Sequence, residues 1–199
     1  MALIISSDEI KKTLPNYAPE KAEEFQSVST KRADKEFESA LHKNSGPKVI
    51  LMSGGSASGK SEFIASHLEN EECIIFDGTL ATKEGAKIKI RKILKSGKKP
   101  ILFAVIPDDL KRAFIAFLNR DRKFNDAHFY KTHSGSRSVL LWVAHEFPDL
   151  EINIIESSYT KNDLLQFAKI NFKNRIDLLE YLTTIQKTES DIISYINRL

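Results

Sequence analysis

A single cysteine, Cys73, rules out an internal disulfide, and its place at the start of an apolar run marks a small buried side chain. No apolar run reaches the length of a membrane-spanning helix. The N-terminus, Met1-Ala2-Leu3-Ile4-Ile5-Ser6-Ser7, lacks a basic region and carries only a short apolar patch. It does not read as a signal peptide, so a cytoplasmic location is expected. A dominant charge is also missing: 30 Lys and Arg stand against 27 Asp and Glu, a net +3 that does not demand a nucleic-acid partner but favours anionic ligands. There is no internal repeat, no low-complexity tract and no pair of His or Cys at metal-ligand spacing. What remains is 199 residues, 41% apolar and 29% charged, which suits one globular body.

Within it, Gly54-Gly55-Ser56-Ala57-Ser58-Gly59-Lys60-Ser61 fits the phosphate-binding pattern G-x-x-x-x-G-K-[ST]. The apolar run Val49–Met52 precedes it, and a helical pattern with Phe63, Ile64 and Leu68 follows. Glycine at 54 and 59 lets backbone amides approach anionic oxygens. Lys60 is placed to reach the outer phosphates of a nucleoside triphosphate, and Ser61 to offer a hydroxyl to Mg²⁺. The positive end of the helix, through Glu62, faces the same anion.

Residues 1–45 read as a helical extension, with Ala22, Phe25, Val28, Phe37 and Leu41 near helical spacing before the break at Asn44-Ser45-Gly46-Pro47. Residues 46–170 alternate short apolar runs with helical segments, the sign of a parallel sheet wrapped by helices. The expected strands are Val49–Met52, Cys73–Phe76, Ile101–Ile106 and Ile152–Ile155, and the expected helices cover 82–96, 109–121 and 136–147. Residues 171–199 hold two more helical patterns, Ile176/Leu179/Leu182 and Ile192/Ile196/Leu199, which close the domain. The fold class expected is α/β, a three-layer P-loop NTPase fold with a mostly parallel sheet and N- and C-terminal helical extensions.

Carboxyl ends of parallel strands line the ligand crevice, which places Asp77 and Thr79 on the rim of the phosphate loop. Asp77 there could hold Mg²⁺ through water or take a proton from an acceptor hydroxyl, with Thr79 placing the acceptor. The bland alternative is a turn at Asp77 and a helix cap at Thr79 or Thr82. One of Asp108 and Asp109 caps the helix from Leu110. Residues 119–138, with Arg120, Arg122, Lys123, Lys131, His133 and Arg137, read as a cationic lid, with Arg120 and Arg122 candidates for contact with ATP. His133 reads as a solvated loop histidine. The basic helix carrying Lys87, Arg91, Lys95 and Lys98 reads as solvated surface, so nucleic acid is not expected.

The phosphate loop, the strand ending Asp77-Gly78-Thr79, and Ile101–Ile106 followed by Pro107-Asp108 together resemble the zeta-toxin-like P-loop kinases over roughly residues 46–165. The resemblance implies ATP-dependent phosphorylation of a hydroxyl on a UDP-activated amino sugar, and an antitoxin-like protein partner. The chain departs from that family by having a single strand after the phosphate-loop helix where two are usual, the first of which ends in the aspartate base. Asp77-Gly78-Thr79 matches the second. A small-molecule kinase is therefore the leading expectation, with Lys60 and Asp77 catalytic, against a nucleotide-dependent binding module.

Overall fold

The computed structural model describes residues 1–160 and 164–198. Its six strands are β1 (Leu3–Ser6), β2 (Lys48–Ser53), β3 (Ile74–Asp77), β4 (Lys99–Pro107), β5 (Glu151–Tyr159) and β6 (Leu165–Ile170). They form one sheet in the order β1-β3-β2-β4-β5-β6, parallel except for β6 against β5. Helices α1 (Ser7–Lys12), α2 (Gln26–Lys43), α4 (Lys83–Lys95), α5 (Leu110–Leu118), α6 (Asp126–Glu146), α7 (Arg175–Thr184) and α8 (Glu189–Asn197) flank it. Helix α3 (Lys60–Phe63) is one α-turn that loosens into a π-helical turn over Ile64–Leu68.

Alternation along each strand makes the three layers, because successive side chains point to opposite faces. Val49, Leu51, Ile74, Phe76, Leu102 and Ala104 pack with Phe37 of α2, Ile90 of α4, Val143 of α6 and Leu182 of α7. Ile50, Met52, Ile75, Val105 and Ile155 face the other way, onto Phe63, Ile64 and Leu68 of α3. From β2 the chain passes through α3 to β3 on one side, then through α4 to β4 on the other. The connections therefore diverge at β2, where open α/β sheets place a ligand crevice. Cys73 is buried beside this core, and burial pushes its thiol up to about 11.

Several local expectations hold. Asp109 caps α5, accepting from the Lys111 amide at 2.8 Å, and Thr82 caps α4 through the Gly85 amide at 3.2 Å. Gly97 takes φ +75° just past the end of α4.

Other segments differ. Residues 1–45 are not wholly helical: Leu3–Ser6 is a sheet strand parallel to β3, with Ser6 opposite Asp77. Val28 is half exposed, and Ser29 instead faces the core with Ala33 and Phe37. Leu165–Ile170 forms a strand the apolar runs did not mark. Residues 126–138 are the first half of α6, not part of a polar lid, so the irregular segment shrinks to residues 119–125. His133 is fully buried there, not solvated. The tail position Leu199 lies outside the described residues. On the basic helix α4, Lys89 pairs with Asp34 of α2 at 2.8 Å and Lys92 pairs with Glu38, so part of its charge is neutralised by its neighbour.

Candidate functional site

The loop between β2 and α3 is held from outside and open toward the strand ends. Its base is tied to the β3 side, where the Thr79 carbonyl accepts from the Gly54 amide at 3.2 Å. The Ser157 hydroxyl on β5 donates to the Ser58 carbonyl at 2.8 Å. Gly59 has φ +89°, and a Cβ there would stand 2.6 Å from Leu165 Cδ2, so β6 lies directly against the loop. Phe63 N bonds the Gly59 carbonyl at 2.9 Å, the first intrahelical bond of α3. Helix geometry leaves the amides ahead of it without helical partners, and they form the donor set a polyphosphate needs.

Lys60 is folded back onto this loop. Its Nζ donates to the Gly54 carbonyl at 3.0 Å and the Gly55 carbonyl at 2.8 Å, and lies 3.4 Å from Ser58 Oγ. Burial lowers its pKa to about 8, although the Asp77 carboxylate works in the opposite direction. A polyphosphate in the loop would replace neutral carbonyl acceptors by anionic oxygens, which bind an ammonium more strongly.

Ser61 and Asp77 meet at the mouth: the Ser61 hydroxyl donates to Asp77 Oδ2 at 3.1 Å. Burial raises the Asp77 pKa against the pull of Lys60. A hydroxyl and a carboxylate oxygen beside an anion cup are the hard ligands that suit Mg²⁺, so the residues present fit that ion.

Two cavities share this pair in their lining. One of about 270 Å³ is lined by Lys60, Asp77, Thr79, Gln26, Thr30 and His128, among others. A second, about 700 Å³, is lined by Ser61, Glu62, Ile64, Tyr17, Glu69 and Asn119, among others. Asp8, Ser61, Asp77, Arg120 and Arg122 border both. Of the residues expected at the site, Asp77, Arg120 and Arg122 line both cavities, Thr79 the smaller and Glu62 the larger, whereas Lys131 and Arg137 belong to helix α6 instead of a lid.

The residue it missed is Asp8. This carboxylate sits in the first turn of α1, directly after β1, and pairs with Arg122 and, at 2.9 Å, with Lys11. Burial acts to raise its pKa, but Arg122 and Lys11 outweigh that and hold it below the ordinary value. Lys11 has no exposed side-chain surface and lies 4.7 Å from the Phe124 ring centroid. Residues 119–125 are further anchored to the N-terminal segment by Lys123 N on the Pro19 carbonyl at 3.0 Å and Asn125 Nδ2 on Glu23 at 2.7 Å. The N-terminal segment is thereby a wall of the site. Its only sequence sign was an apolar patch followed by Ser6-Ser7-Asp8.

Neither a protein-family model nor a curated protein matches the sequence. Solved structures do match the fold. A chain of the AvrRxo1-ORF1:-ORF2 complex with ATP aligns at TM-score 0.54 and 13% identity, over 82% of this chain and 73% of that one. The native complex gives TM-score 0.52 and 13% identity, over 79% and 72%. The complex with sulphate ions gives 0.50 and 9%, over 87% and 89%. Identities this low establish a shared architecture, so this chain has the α/β fold of those structures: a mostly parallel sheet between helical layers.

Proposed function

We propose that the protein is an ATP-dependent kinase that phosphorylates a small-molecule hydroxyl. The observation that carries this reading is the glycine-hinged loop of residues 54–61, with Lys60 buried in it and Ser61 bonded to a strand-end carboxylate. The fold shared with a structure that contains ATP supports it. In this reading the amides from Ala57 through Glu62 and the Lys60 ammonium hold the phosphates. Arg120 and Arg122 neutralise charge developing on the transferred group. Ser61 and Asp77 would hold Mg²⁺, which when bound neutralises phosphate oxygens.

The acceptor oxygen attacks the terminal phosphorus, the bond from that phosphorus to the bridging oxygen breaks, and ADP leaves. The hydroxyl proton passes to a carboxylate. We assign that carboxylate to Asp8. Asp77 is engaged by Ser61 on the nucleotide side, whereas Asp8 enters from the strand beyond it. Strand β1 fills the sheet position beside β3, so a segment from the N-terminus brings a further strand and acid next to Asp77. A loose transition state releases the proton late, so an aspartate of low pKa serves by orienting the hydroxyl. The resemblance makes a UDP-amino sugar the first acceptor to assay. The similar structures are of two-component complexes, which supports a protein partner for this chain as well.

The test is a pair of variants assayed for ADP release and Mg·ATP binding. Asp8→Asn should lower kcat by roughly 10²–10⁴ while nucleotide affinity stays put. Asp77→Asn should weaken the dependence on Mg²⁺. Undiminished turnover in Asp8→Asn would return the base role to Asp77, and absence of ADP release by the unsubstituted protein with every acceptor assayed would end the kinase reading.

A further inference from the structure

Both backbone polar groups of Ser56, at the crown of the phosphate loop, are taken up by helix α6. The Ser56 amide donates to Thr132 Oγ1 at 3.1 Å, and its carbonyl lies 2.8 Å from His133 Nε2. A carbonyl can only accept, so Nε2 carries the hydrogen. The other ring nitrogen, Nδ1, faces Arg137 Nη1 at 3.2 Å, a group that can only donate. The two contacts together select one neutral tautomer. Protonating the ring would turn an Nδ1–H against a guanidinium N–H.

The surroundings leave the ring no latitude. His133 is fully buried and Arg137 is 5% exposed. The ring lies against Gly55, where a Cβ would overlap it, and 4.2 Å from the Phe129 ring centroid. The charged groups bearing on it are Arg137 of its own helix, Lys60 of α3 and Arg120 beyond α5, all cations. Burial and these cations push its pKa well below the ordinary histidine value.

Arg137 is the odd member of this group. A buried guanidinium is normally repaid by a carboxylate, yet among the described residues the side-chain hydrogen bonds of Arg137 go to His133 Nδ1 and the His133 carbonyl, and its Nε has no partner. Its evident work is on the histidine.

We propose that His133 is a positioning residue for nucleotide binding: locked by Arg137 as the Nε2–H tautomer, it holds the Ser56 peptide outward and keeps the crown of the loop clear for an anion. This rests on the phosphate-loop reading above. It explains why the inner face of α6 is polar where it meets the loop.

Two measurements test it. Nitrogen-15 NMR of the imidazoles in the nucleotide-free protein should show His133 as a neutral Nε2–H ring at and below the pH at which ordinary histidines become protonated. An Nδ1–H tautomer, or an imidazolium near pH 6.5, overturns the proposal. Calorimetric titration with Mg·ATP should show affinity lowered roughly ten- to a hundredfold in His133→Phe, which keeps a ring against Gly55, with partial recovery in His133→Gln. In Arg137→Met the ring is retained but unlocked, and the same NMR should show it losing the single Nε2–H tautomer and taking up its second proton at a higher pH than in the unsubstituted protein. Undiminished affinity in His133→Phe and an unshifted ring titration in Arg137→Met overturn the positioning role. Absence of binding by the unsubstituted protein would remove the phosphate-loop reading itself, a failure the NMR result distinguishes.

Discussion

Replacing Lys60 by methionine should strengthen the fold while removing its ligand. Folding draws the Lys60 pKa from 10.5 to about 8. At about 1.4 kcal/mol per unit, the buried ammonium costs the nucleotide-free fold about 3 kcal/mol at pH 7. The sign follows from proton counting: between pH 8 and 10.5 the unfolded chain holds the proton and the folded one does not, so stability rises with pH there. The full cost is therefore present at neutral pH. Lys60→Met removes it but leaves the carbonyls of Gly54 and Gly55 without their ammonium, at about 1 kcal/mol each. The net is a gain of about 1 kcal/mol, a rise of roughly 2–4 °C in Tm for a chain of this size. Scanning calorimetry at pH 7 and pH 10 reads it: the variant should melt higher at pH 7, and the advantage should vanish at pH 10. Mg·ATP should raise the Tm of the unsubstituted protein alone. A variant that melts several degrees lower at pH 7, with the same pH dependence as its parent, would refute the reasoning.

Gly59→Ala combines a positive φ with a Cβ pressed on Leu165. It should cost about 1–3 kcal/mol by denaturant titration and abolish Mg·ATP binding. Asp8 contributes stability that is present above its ordinary pKa of 3.8 and lost as pH falls through its lower folded value, because Arg122 and Lys11 favour the carboxylate. Asp8→Asn should therefore flatten the acid limb of a Tm-against-pH curve below about pH 4; an unchanged limb would show that the pair with Arg122 is too solvated to count.

The phosphate loop and the four central strands were legible because their information is local: β-branched runs, glycines at fixed spacing, and a lysine-serine pair at a helix start. What escaped shares a physical cause. Strand β1 has three apolar residues, and its pairing is with residues 74–77, which sequence adjacency cannot show. Asp8 joined the site with it. Helix α6 was read as beginning at 136 because its first half buries Thr132, His133, Ser136 and Arg137. Hydrophobic periodicity does not register a helix whose inner face is polar, and here that face is polar because it packs on backbone groups of the loop. Strand β6 shows Leu165 and Phe167 in alternation, but its polar neighbours hid a strand that is half exposed at the sheet edge.

The most direct test of the account is isothermal titration of the unsubstituted protein with ATP in the presence of Mg²⁺. It should give saturable heat at one nucleotide per chain, abolished in Lys60→Met. No heat at millimolar ATP would contradict the claim that residues 54–62 form a polyphosphate site.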